Sequence, residues 1–386
     1  MAQIALSVVL VVGALLLIRT FVNIQQVDAG FRPNGILTFR VALPGARYPN
    51  QDTFNAFSRR LQTALGEIPG VIGASAVSHV PFDRVPNWGG PYVATQGADA
   101  STAPQADYRA VAPGLMELLD IRLLEGRTFT EGDDHLVDPV VIVDERLATR
   151  TWPGESAVGR QVAVDPNVRG TPETWATVVG VVGHVRHHNL VEEIREQVYY
   201  PERQVPRNPA VYVVKAAADP AALVAPVRDV IRRLDPQLPI YDVRLLSDYV
   251  EDALAIRRFT ALLAVIFAAA AVALACVGVY GVIAYSVTER YREIGVRMAL
   301  GARTTQIITL VLGEGARLMV TGMVIGVAAA GAAAWWLRSQ LFGVTVWDPV
   351  SFSATLTIIV SAALAACLVP AIRALGTNPV EALRGV

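Results

Sequence analysis

Four runs of this 386-residue chain carry no charged side chain over lengths that fit a lipid bilayer. They are Met1–Ile18, ending before Arg19; Phe259–Thr288, between Arg258 and Glu289; the stretch between Arg317 and Arg338; and the stretch between Asp348 and Arg373. A helix needs about 20 apolar residues to cross the hydrocarbon core. The backbone inside lipid finds no water to bond, so each run is expected to be helical. Composition agrees: 53% of residues are hydrophobic and 17% charged, against roughly 45–50% and about 25% in soluble domains. Nothing comparable occurs from Asn23 to Ile256. The expected organisation is a first transmembrane helix in 1–22, an extracytoplasmic domain in 23–256, and a membrane domain in 257–386. Within that last domain the helices are expected at about 259–286, 317–337 and 350–370.

The first run has no basic n-region, is long for an h-region and is followed by no clean small-x-small cleavage site. It therefore reads as a span and not as a signal peptide. Its missing basic start gives the further expectation that the chain begins inside the first helix of a longer parent. Arginines in short loops set orientation. Arg290, Arg292, Arg297 and Arg303 lie in the segment 287–315, and the tail 371–386 carries Arg373 and Arg384. The connection after Arg338, from Ser339 to Pro349, has no basic residue. The 287–315 segment and both termini are thus expected in the cytoplasm, and the large domain outside.

The same residues exclude several functions. Lys215 is the only lysine, and a P-loop needs a lysine after its second glycine to meet the terminal phosphates. The sequence around Lys215 has no such form, so no Walker A is present. Net charge is -1, which favours no nucleic-acid partner. Cys276 and Cys367 lie inside apolar runs and read as small packing residues, not as a disulfide. No Asp, Glu, Lys, Arg or His interrupts a run, whereas ion-coupled carriers keep such groups near mid-membrane. Gly322 and Gly326 form a G-x-x-x-G pair that permits close backbone approach, within the chain or between copies. Gly278 and Gly281 flatten part of the second span.

The outer domain reads as two β-α-β pieces around an insertion. Ile36–Leu43 alternates as a strand. Phe54, Phe57, Leu61 and Leu65 recur at helical spacing over 52–65, and Val71–Ser78 is again β-like. Ala210–Lys215, Pro220–Leu234 and Ile240–Leu245 repeat the pattern. The middle is rich in Gly, Pro and short β runs such as Pro139–Val143 and Thr177–Val182. The expected fold class is an α-helical membrane protein with four transmembrane helices plus an α+β extracytoplasmic domain, two β-α-β units with an inserted β-rich lobe. His184, His187 and His188 cluster in Gly-His-Val-Arg-His-His; with no cysteine nearby, this reads as a solvated turn and not as a metal site. No catalytic constellation, cofactor site or metal site is expected.

The segment Glu289–Leu312, ERYREIGVRMALGARTTQIITLVL, has clustered charges, interleaved Ile294, Met298 and Leu300, and a helix break at Gly301 beside Ala302. It reads as a helix leaving the membrane, a turn, and a helix along the inner surface. Its R-E-I-G-V-R-M-A-L-G-A run closely resembles the signature of FtsX-like permease domains, which include MacB and the lipoprotein-release permeases. The end of the chain, Pro370-Ala371-Ile372-Arg373-Ala374 and then Asn378-Pro379-Val380-Glu381-Ala382-Leu383-Arg384, resembles that family's C-terminal motif. Leu124-Glu125-Gly126-Arg127-Thr128-Phe129 and Trp152-Pro153-Gly154-Glu155 with Val158-Gly159-Arg160 resemble the MacB-type periplasmic core. The resemblance is nearest to one half of the duplicated permeases first noted in acidobacteria. It implies a permease in a bacterial inner membrane, embedded in lipid, that works with a cytoplasmic ABC ATPase in trans and with a second permease half or a second copy. It implies that Arg292, Glu293, Gly295, Arg297, Gly301 and Ala302 form the ATPase-coupling segment. Two other readings are an envelope scaffold that regulates a cell-wall enzyme and a truncated half with little activity of its own.

Overall fold

Strands buried for most of their length and helices with apolar residues at helical spacing build the outer part of the chain. The computed structural model describes residues 1–85, 88–94, 103–164, 175–188, 190–191, 195–289 and 304–375. They fall into two compact units: Asp28–Leu254, and Met1–Val27 with Ala255–Val386.

In the outer unit, β1 (Ile36–Val41) turns Leu37, Phe39 and Val41 into a core. The helix α2 (Gln51–Gly66) starts at Asn50, whose Oδ1 accepts the Thr53 N–H at 2.9 Å. The Thr53 hydroxyl in turn accepts the Asn50 N–H, closing a capping box. Phe54, Phe57, Leu61 and Leu65 of α2 are buried, as their spacing requires. The chain continues through β2 (Val71–Val77), β3 (Gly89–Val93), β4 (Gln105–Val111), α3 (Leu115–Leu118), β5 (Leu123–Gly126), β6 (Val140–Asp144), α4 (Glu145–Thr151), β7 (Gln161–Val164), β8 (Trp175–Val182) and β9 (Glu196–Pro201). It returns with β10 (Ala210–Ala216), a 3-10 turn at Pro220–Leu223, α5 (Val224–Leu234) and β11 (Ile240–Leu245).

The two β-α-β pieces interleave in one antiparallel sheet, ordered β11-β1-β10-β2. Two split β-α-β units in this order make a ferredoxin-like sheet. Val227, Val230 and Ile231 of α5 join the α2 side chains in the core beneath it. The insertion continues from β2 through β4-β3-β7-β8-β6-β9, and β9 pairs back with β4. The lobe is therefore a closed ring of strands, which leaves few free edges. Tyr108, Val143, Val162, Val178 and Tyr200 lie in its core.

Among the described residues, four helices are long and apolar enough to cross a membrane. They are α1 (Ala2–Gln25), α6 (Leu246–Glu289), α7 (Thr304–Trp336) and α8 (Pro349–Leu375). Ile4, Val8, Val12 and Leu16 of α1 share one core with Ala268 and Ile283 of α6, Met319, Ala330 and Ala334 of α7, and Ile359, Ala363 and Cys367 of α8. Two helices outrun their apolar stretches. The helix α1 continues past Arg19, which pairs with Asp348. Arg257 and Arg258 do not start α6, which begins at Leu246.

Candidate functional site

The tightest feature of the membrane unit is the seam between α1 and α7. Small residues on α7 let the α1 backbone approach where side chains would hold it off. A Cβ on Gly322 would lie 2.9 Å from Ile4 Cβ, and one on Gly326 would lie 2.7 Å from Val8 Cβ and 3.0 Å from Ala5 Cα. The G-x-x-x-G pair thus faces α1 of the same chain. Gly331, one turn and a half further on, lies under the Trp347 ring, which a Cβ would meet at 2.1 Å. Trp347 stacks on Phe352 with centroids 5.2 Å apart. Ser7 ties α1 to α6 by donating to the Ala271 carbonyl at 2.8 Å, and Gly278 of α6 abuts the Gln3 side chain.

One end of the seam is locked by polar contacts. Both carboxylate oxygens of Asp348 accept from the Arg19 guanidinium. Asp348 also caps α8, accepting the Ser351 N–H at 2.7 Å. Burial raises the Asp348 carboxyl, but the Ser351 and Arg19 contacts outweigh it and hold the pKa below the usual range. Asn23 Nδ2 donates to the Gly343 carbonyl at 3.0 Å, in the α7–α8 connection. These residues are far apart in sequence, and no local pattern announced the pairing.

The coupling segment named from sequence, Arg292, Glu293, Gly295, Arg297, Gly301 and Ala302, lies outside the described residues. So do Pro379, Glu381, Leu383 and Arg384 of the C-terminal motif. Pro370 and Arg373 stand on the last turns of α8. The helices α6 and α7 end and begin at Glu289 and Thr304, one at each side of that segment.

The outer unit corrects one expectation. The His184–His188 segment is not a solvated turn. His184 Nδ1 lies 2.6 Å from Asp144 Oδ2, and His188 Nε2 lies 2.9 Å from Asp107 Oδ2, both carboxylates being buried. His187 is buried, and neither ring nitrogen has a hydrogen-bond partner among the described residues. Burial, with the Arg109 charge next in effect, keeps it neutral far below its ordinary pKa. The same two causes lower His79 to about 4. The carboxylate partners lie 40 and 81 residues upstream, so the sequence around the histidines could not show them. Among the described residues no group of three or more His, Cys, Asp or Glu side chains is arranged to hold a metal ion.

Comparison with known proteins gives the class to which this arrangement belongs. The MacB-like periplasmic core domain model matches residues 1–234, and the FtsX-like permease C-terminal model matches residues 265–379. The first match covers more than half of the chain, and the chain belongs to the MacB/FtsX-like ABC permease family. It is a membrane protein with an extracytoplasmic domain. The pyoverdine export ATP-binding/permease protein PvdT of Pseudomonas aeruginosa is 27% identical over 297 residues, covering 72% of this chain and 42% of PvdT. The uncharacterized ABC transporter permease YvrN of Bacillus subtilis is 26% identical over 320 residues, 76% of this chain and 74% of YvrN. Among solved structures, the periplasmic region of MacB from Actinobacillus actinomycetemcomitans covers 60% of this chain and 97% of its own, at 13% identity and a TM-score of 0.40. The chain spans less than half the length of PvdT, and it matches the permease region of the family.

Proposed function

We propose that this chain is the permease subunit of an ABC-type export or mechanotransmission complex in a bacterial inner membrane, with both termini cytoplasmic. A separate cytoplasmic ATPase would engage residues 287–315 and move the helices attached to them. The carrying observation is α6. One unbroken helix, Leu246–Glu289, runs from the last strand of the outer domain to the start of that segment. A stiff helix is what a lever requires, and the charge-free middle of each span suits packed helices better than an ion path. PvdT carries ATP-binding and permease functions in its name, whereas YvrN is named a permease alone. This division favours an ATPase supplied in trans here. The complex would be completed by a second permease half or a second copy, set in membrane lipid.

The test is co-expression with the candidate ATPase and affinity capture. The double substitution Gly301→Pro with Glu293→Arg is expected to lose the ATPase while the membrane fold persists. Equal capture by the wild type and the double variant would show that the segment does not couple.

A further inference from the structure

The outer unit contains a cleft of about 580 Å³ walled by three loops and the start of α4. Its volume falls in the range of small-molecule sites. The walls are stitched to one another through the backbone. Arg186 N–H donates to the Ala29 carbonyl at 2.9 Å, Arg32 N–H to Leu119 at 2.8 Å, and Gly183 N–H to Arg122 at 2.8 Å. Gly30 sits at φ +80, where a Cβ would lie 2.1 Å from the His184 carbonyl oxygen, so the two loops touch backbone to backbone. The cleft is therefore preformed.

Its polar groups are unevenly used. The acids that line it already accept hydrogen bonds or pair: Asp28 Oδ1 takes the Gly30 N–H at 2.9 Å, Glu145 Oε1 takes the His184 N–H at 3.2 Å, and Asp120 lies 3.8 Å from Arg32. The donors are in surplus. The Arg122 guanidinium has no partner among the described residues, and Arg186 uses one nitrogen on the Leu190 carbonyl at 3.2 Å. His184 is oriented by buried Asp144 through Nδ1, which leaves Nε2 without a protein partner among the described residues. A ligand that completes this cleft must bring acceptors, and guanidinium forks match carboxylate and phosphate oxygens.

We propose that the cleft bounded by Arg122, Arg186 and His184 binds an anionic small molecule or head group through its carboxylate or phosphate oxygens. The site rests on the outer unit alone and stands whether or not an ATPase partner is found.

The full chain in phosphatidylcholine nanodiscs, titrated with citrate and with inorganic phosphate against chloride at matched ionic strength, tests it. Microscale thermophoresis is expected to show saturable binding of at least one anion. Arg122→Gln should weaken it by about tenfold or more, the loss of one charged hydrogen-bonding group. Arg122 is exposed and has no side-chain partner among the described residues, so its loss should leave the melting temperature unchanged. Arg228→Gln, on α5 and away from the cleft, should bind as the wild type does. Phosphatidylglycerol in the nanodiscs separates the sources: competition with citrate identifies a lipid head group, and unchanged citrate binding identifies a free anion. No saturable binding of either probe, or equal binding by Arg122→Gln and the wild type, would overturn the assignment.

Discussion

Replacing Gly326 by leucine tests the seam that organises the membrane helices. The added Cβ would stand 2.7 Å from Val8 Cβ and 3.0 Å from Ala5 Cα, where carbon atoms prefer about 3.5–4.0 Å. The α1 and α7 backbones must therefore separate by about 1 Å before the rest of the side chain is placed, and a gap of that size forfeits a quarter to a half of each facing contact. Overpacking of this kind costs about 1–3 kcal/mol. Leucine also favours helix over glycine by roughly 1 kcal/mol, so a control must share that gain. Gly13 on α1 provides it, because a Cβ there meets nothing within 4 Å. In thermal unfolding of the full chain in one detergent, Gly326→Leu should melt roughly 2–10 °C below Gly13→Leu, at a few degrees per kcal/mol. Melting temperatures of the two variants within about 1 °C of each other would refute the packing argument.

Glu202→Gln probes a buried acid beneath α2. Burial raises its pKa to about 7, opposed by hydrogen bonds from Ser58 and Gln62 and by the Arg203 charge. The folded form holds its proton more tightly than the unfolded form, so this group's contribution is complete below about pH 4.5 and is lost as pH rises through 7. The amide mimics the protonated acid, and chemical denaturation at pH 8 should find the variant more stable by on the order of 2–3 kcal/mol, with no gain at pH 4. His79, lowered to about 4, works in the opposite sense and loses stability as pH falls from 6.5; in Glu202→Gln the slope between pH 4.5 and 6.5 should therefore steepen in favour of higher pH. Arg40→Met leaves Asp83 and Asp242 without their shared buried cation and should cost about 3–5 kcal/mol in denaturant titration. Asp348→Ala removes both the α8 cap and the Arg19 partner, and should cost about 1–2 kcal/mol. Asp348→Ser restores only the cap and should recover part of that loss in melting temperature.

Much of this architecture was legible because two physical signals are local. A run without charges marks a span, and the 3.6-residue spacing of Phe54, Phe57, Leu61 and Leu65 marks α2. What was not legible depends on distant partners. Arg19 finds its partner, Asp348, 329 residues away. The strand β4 carries Asp107 and Arg109 in its middle, both buried, and nothing in QADYRAV announces a core strand. The histidine segment looked solvated because Asp144 and Asp107 lie on other strands. The interleaving of the two β-α-β pieces and the closure of the inserted ring are pairings between remote segments, which composition does not encode.

The central claim, ATPase coupling through residues 287–315, is tested most directly by photo-cross-linking in native membranes. A photoreactive side chain at Arg297 should capture a cytoplasmic ABC ATPase subunit, identified by mass spectrometry, and the same probe at Leu136 of the outer domain should not. Recovery of no ATPase from Arg297, in membranes where that ATPase is present, would contradict the account.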